Sequence, residues 1–122
     1  MLVANADEDT RVYNGHDRAL GRRIMRAIAD RGHDPWLGRR LAHLVEAAAF
    51  RLAEQVVLAE SERHFQPGAS GYILAHACRD YLLARGDIAA EDYERWLTDL
   101  RNCAWEGSYS YGVTTYACLA ER

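Results

Sequence analysis

Residues 106–122 read EGSYSYGVTTYACLAER. From Tyr109 to Leu119 the stretch is aromatic, β-branched or small, and Gly107-Ser108 marks its upstream boundary, a pattern that predicts a strand. Strand side chains alternate between faces, so Tyr109, Tyr111, Val113, Thr115, Ala117 and Leu119 share one side. Ser110, Gly112, Thr114, Tyr116, Cys118 and Ala120 share the other. Neither side is charged before Glu121. That pattern marks an inner strand, covered on both faces and paired along its edges. Such a strand needs neighbours.

Working back through the chain, one other full strand is predicted, FRLAEQVVLAE at residues 50–60, centred on Val56-Val57-Leu58. Met1 to Ala4 reads as a strand stub and Asn5 to Asp9 as a polar loop. Asp17 is the expected N-cap of a helix to about Arg31, with Leu20, Ile24, Ala27 and Ile28 on one stripe. Gly32 and Pro35 in RGHDP end it. A second helix spans about Trp36 to Ala48, with Leu37, Leu41, Leu44, Val45 and Ala48 inward. After the loop RHFQPGAS, Ser70 is expected to cap a third helix to Arg85, closed by Gly86 and burying Leu74, Cys78, Tyr81 and Leu82. A fourth, about Ala89 to Cys103, buries Tyr93, Trp96, Leu97 and Leu100. The order (β)ααβααβ predicts an α+β or α/β fold in one domain over residues 1–122. Two full strands make a marginal sheet in water. A partner chain or dimerisation is therefore expected to complete it.

Composition narrows the function classes. Of 122 residues, 49% are hydrophobic, which suits a folded chain and not a disordered one. No apolar run approaches the roughly 20 residues of a membrane-spanning helix. All 15 basic residues are arginine, against 18 acids. Residues 1–51 carry nine arginines and seven acids, and the remainder is acidic overall. Arg22-Arg23-Arg26 and Arg39-Arg40 therefore read as solvated faces and inter-element ion pairs, and no nucleic-acid partner is expected. Cys78, Cys103 and Cys118 form no Cys-x-x-Cys pair, which predicts free thiols and a cytoplasmic location. Nothing in the His and Cys spacing suggests a zinc site, so no metal is expected.

Several motifs carry a resemblance. Asp17-Arg18, Arg22-Arg23-Ile24 and Trp36-Leu37-Gly38-Arg39-Arg40-Leu41 stand in the order found after the fifth strand of class I S-adenosylmethionine-dependent methyltransferases. The likeness is to the small-molecule, ubiquinone/menaquinone-type branch. The tail AAEDYERWLTDLRNCAWEGSYSYGVTTYACLAER resembles that family's last helix and its antiparallel seventh strand. The resemblance implies the C-terminal half of such a fold, with the last strand between the fifth and the sixth. It also implies what is missing, because the sequence holds no Gly-x-Gly-x-Gly turn and no first four strands. S-adenosylmethionine is then expected only through a partner chain.

Three functions follow as expectations. The first is a subunit of a split methyltransferase, acting on an aromatic or polyketide-like acceptor. The second is a cofactor-free homodimer that binds, cyclises or isomerises a small molecule. The third is a structural or regulatory subunit of a complete methyltransferase. The residues singled out are His16 or His76 as the general base, with Tyr13, Tyr72 and Tyr111 as acceptor contacts. Each has a plainer reading: His16 as a helix-entry hydrogen bond, His76 as a wall residue, the tyrosines and Trp36 and Trp96 as packing.

Overall fold

The computed structural model describes residues 1–32 and 34–122; His33, inside the RGHDP break, lies outside them. The elements are β1 (Leu2–Tyr13), α1 (Arg18–Ala29), α2 (Leu37–Ala47), β2 (Arg51–Glu62), α3 (Ser70–Ala77), α4 (Arg79–Arg85), α5 (Ala90–Glu106) and β3 (Tyr111–Glu121). The fold is mixed α+β, with an open three-stranded sheet in the order β1-β3-β2. β3 is antiparallel to both neighbours. The uncharged terminal strand is the middle one, paired on both edges.

The main departure from expectation is β1, a full strand of twelve residues and not a stub with a loop. Its register runs from Leu2↔Leu119 to Asp7↔Thr114, then resumes at Val12↔Gly112. Glu8 to Arg11 therefore bulge out of the ladder. Thr10 bridges the gap: its hydroxyl donates to Asp7 O (2.7 Å) and accepts from the Thr114 N–H (2.9 Å). The acids that suggest a loop each have partners within the fold, most of them from distant segments. Asp7, 1% exposed, accepts from Arg39 Nε at 2.7 Å. Glu8 accepts both arms of Arg11 (2.8 and 3.0 Å) and Arg31 (3.1 Å). Asp9 accepts the Trp36 indole N–H. The sheet thus has three full strands where the sequence predicts two.

Helices cover the two faces at opposite ends. On the Tyr111 face, Leu20, Ile24 and Ile28 of α1 meet Tyr93, Trp96, Leu97 and Leu100 of α5 over Tyr111 and Val113. On the Cys118 face, Val45 of α2 packs on Cys118 and Ala120. Gly38 lets α2 lie on β1, since a Cβ there would stand 2.7 Å from Asn5 O and 3.0 Å from Ala6 C. Each face of β3 is therefore covered over only part of its length. The remainder of the Tyr111 face is open and mostly apolar: Leu2 is 71% exposed and Leu119 42%, with Val56 and Leu58 beside them on β2 and the exposed Glu54 opposite Leu119.

Smaller differences have local causes. Asp17 caps α1 as expected, accepting the Leu20 N–H at 3.0 Å. Ser70 is not the cap of α3; the Glu62 carboxylate, at the end of β2, takes the N–H groups of Ser70 and Gly71 at 3.0 Å each. The predicted third helix breaks at Cys78 into α3 and α4. Trp96 is buried, but Trp36 is 48% exposed, lying against Arg39 and bonded to Asp9. The hydroxyl of Tyr109 is buried without a partner among the described residues. A stranded hydroxyl costs about 1–3 kcal/mol, so Tyr109→Phe is expected to leave the thermal midpoint unchanged or raise it. A clear loss would mean that the hydroxyl has a partner after all.

Candidate functional site

A cleft of about 650 Å³ opens beside the carboxyl end of β1. One wall is the β1 bulge with Glu8 and Arg11; the other is α1, which contributes Arg18, Arg22 and Arg26; Trp96 reaches in from α5. Residues four apart on a helix share a face, and like charges so placed repel. None of the three arginines meets a carboxylate among the described residues. The cleft therefore sets an unneutralised cationic row beside aromatic surface.

Two of the five predicted site residues line it. Tyr13 ends β1; its hydroxyl donates to Gly71 O at 2.6 Å and its ring stands edge-on to Trp96, 5.2 Å between centroids at 83°. Burial pushes the Tyr13 phenol well above its ordinary value, with the neighbouring tyrosines adding to the shift. Tyr13 is a fixed wall residue whose hydroxyl hydrogen is committed to Gly71 O. His16 lies at the mouth in the β1–α1 loop, exposed, with Nε2 2.9 Å from Glu106 Oε2.

The other three are elsewhere. Tyr72 and His76 stack on each other along α3, 4.0 Å between rings, beside Phe65. His76 Nδ1 is 2.8 Å from Tyr72 O. A ring N–H donating to that carbonyl leaves Nε2 as an acceptor, but neither ring lines the cleft. Tyr111 is buried in the core, its hydroxyl accepting from the Arg11 guanidinium. Burial raises its phenol and Arg11 partly offsets the shift. The pair Tyr13 and His16 thus belongs to one site, and Tyr72 and His76 to a separate aromatic cluster.

Sequence reasoning missed Arg11 and Glu106. Arg11 lies just past the stretch read as a polar loop, in residues given no element, and Glu106 is 90 positions from the histidine it meets. Glu8, which anchors Arg11, gives a pH signature. Burial pushes its carboxyl up, but Arg11 and Arg31 outweigh this and hold it below the ordinary carboxylate range. A lowered folded value stabilises the fold above the unfolded pKa, near 4.3, and the benefit fades as pH falls through the folded value. Glu8→Gln is expected to flatten the decline in urea-unfolding free energy below about pH 4. An unchanged slope would show that the cluster contributes nothing there.

The glycines at positive φ, Gly68, Gly86 and Gly107, lie at a loop and two helix ends, and none lines the cleft. No family model matches the chain, and no curated protein matches it in sequence.

Proposed function

We propose that this chain is the acceptor-side half of a small-molecule methyltransferase divided between two polypeptides. The observation that carries the reading is the outer edge of β1. The Ala120 N–H donates to Met1 O at 2.8 Å. Alternation along an antiparallel ladder then turns the amides of Val3 and Asn5 toward β3 and those of Leu2, Ala4 and Ala6 outward. The next outward amide, Glu8, is already taken by Pro35 O at 3.0 Å. Leu2 to Ala6 carry no charge, proline or bulge, the devices that keep exposed edges from pairing. The opposite edge, β2, carries Glu54 and Glu60 beside its exposed valines and leucine. A strand added to this sheet enters beside β1.

That edge leads into the cleft. Tyr13 and His16 stand at and just beyond the carboxyl end of β1, beside the cleft. The order β1-β3-β2, with the last strand antiparallel in the middle, agrees with the arrangement implied by the resemblance for strands five, seven and six. In this reading the partner holds S-adenosylmethionine on its own Gly-rich turn. Tyr13, backed by the buried Trp96, walls the space for an aromatic or polyketide-like acceptor, and His16 takes the proton of its hydroxyl. Positioning supplies most of the rate, since acceptor, methyl and sulfur need only be held in line.

A second reading, a cofactor-free homodimer, draws support from the open apolar patch of Leu2, Ala4, Val56, Leu58, Ala117 and Leu119. The two readings separate in one set of measurements. Calorimetry with S-adenosylmethionine is expected to give no signal for the chain alone. Co-expression with a polypeptide carrying the Gly-rich half is expected to give a one-to-one complex that releases S-adenosylhomocysteine with a phenolic acceptor. His16→Gln should lower that turnover by roughly a hundredfold or more. A stable homodimer that stays apart from such a partner supports the second reading. A partner whose turnover ignores both this chain and its His16 supports a structural role.

A further inference from the structure

We infer that His16, Cys103 and Glu106 form a binding site for one divalent cation of the zinc class at the mouth of the cleft. A ring nitrogen of His16, Sγ of Cys103 and a carboxylate oxygen of Glu106 all lie within 4.8 Å of one another. A tetrahedral centre with bonds of about 2.0–2.3 Å sets its ligand atoms roughly 3.4 Å apart. Small rotations of the two exposed side chains, His16 and Glu106, close the set.

The fold holds these groups together for stated reasons. Cys103 and Glu106 are three apart near the end of α5 and share a face. His16 comes from a loop pinned at both ends. The Asn14 N–H donates to Ser110 O at 2.8 Å and its side-chain amide to Ser108 O at 2.6 Å. The Asp17 N–H donates to Asp99 Oδ2 at 3.1 Å. Gly15 permits that approach, because a Cβ there would stand 2.8 Å from the same Asp99 oxygen.

Electrostatics favour a cation. α5 ends at Glu106 with no basic residue in its last turn, so the partial negative charge of the helix terminus is unopposed on its own helix. Cys103 is fully buried, and the Ser108 hydroxyl donates to its backbone carbonyl at 3.3 Å, which fixes the end of α5 that carries the sulfur. A mixed N, S and O set suits zinc over magnesium or calcium, which take oxygen. The plainer reading is a solvated His16–Glu106 pair beside a cysteine that packs in the core.

With His16 60% and Glu106 52% exposed, three protein donors leave the fourth position to water, as in metal sites that react and not merely brace. Binding exchanges the Cys103 thiol proton for the ion and releases it to solvent. Ligation and proton abstraction compete for the His16 imidazole, so a loaded site would withdraw His16 from the role of base. The inference stands independently of methyl transfer, because it is read by binding alone.

The test titrates the purified chain with Co(II) and then Zn(II). One equivalent is expected to bind, with a thiolate-to-cobalt absorption band that zinc displaces, and affinity should fall as pH falls. Cys103→Ser, and separately His16→Ala at an exposed position that leaves the fold intact, should each weaken binding by at least roughly a hundredfold. Absence of the band overturns the inference. So does binding that survives both substitutions, which would mean an adventitious ion only.

Discussion

Arg39→Ala is expected to cost roughly 3 kcal/mol, the low end for unpairing a buried charge because Arg39 itself is 41% exposed. The carboxylate it leaves behind, Asp7, is 1% exposed and keeps only the Asp9 N–H at 3.2 Å. In a chain of this size the thermal midpoint should fall by roughly 10 °C. Arg40, one residue on, pairs with Asp34 at the surface, and Arg40→Ala should move stability by no more than about 0.5 kcal/mol. The double variant Asp7→Asn, Arg39→Met should recover most of the loss, since removing both partners strands no charge. Equal effects of Arg39→Ala and Arg40→Ala would show that Asp7 does not anchor α2 to β1.

Trp96→Ala should cost more, about 3–5 kcal/mol, through the cavity left in the core. Trp96 is 1% exposed and stands edge-on to both Tyr13 (5.2 Å) and Tyr93 (5.3 Å). Tyr93 is held in turn by its hydroxyl, which donates to Ala75 O at 2.5 Å. The loss should therefore reach the cleft, freeing the Tyr13 ring as well as unfolding the protein more easily. Trp105, 92% exposed on the same helix, is the matched control, and Trp105→Ala should leave the urea midpoint almost unchanged. A Trp96→Ala protein as stable as the Trp105→Ala one would displace the core from where α1, α5 and β3 meet.

The sequence made the helices and β3 legible because their signals are local. Leu20, Ile24 and Ile28 recur at helical spacing, Asp17 stands at a cap, and Gly86 and Gly107 follow helix ends in the left-handed conformation. β1 was not legible. Its Asp7, Glu8 and Asp9 look like a solvated loop unless Arg39, Arg31 and Trp36 are already known to lie beside them. Alternation reads burial, and it cannot see charge cancelled by a distant helix. The same limit governs the site. Tyr13 and His16 are close in sequence and stay close in space. Tyr72 and His76 form a pair of their own on α3, and Cys103 and Glu106 reach His16 only through the packing of α5 against the β1–α1 loop.

Amide hydrogen exchange at Leu2, Ala4 and Ala6, measured in the assembled protein, bears most directly on whether this three-stranded layer is unfinished. If another backbone docks along β1, these three amides are protected to the same degree as their inward neighbours Val3 and Asn5. A fully active species that sediments as a single copy, with the three exchanging freely while Val3 and Asn5 stay protected, would contradict it.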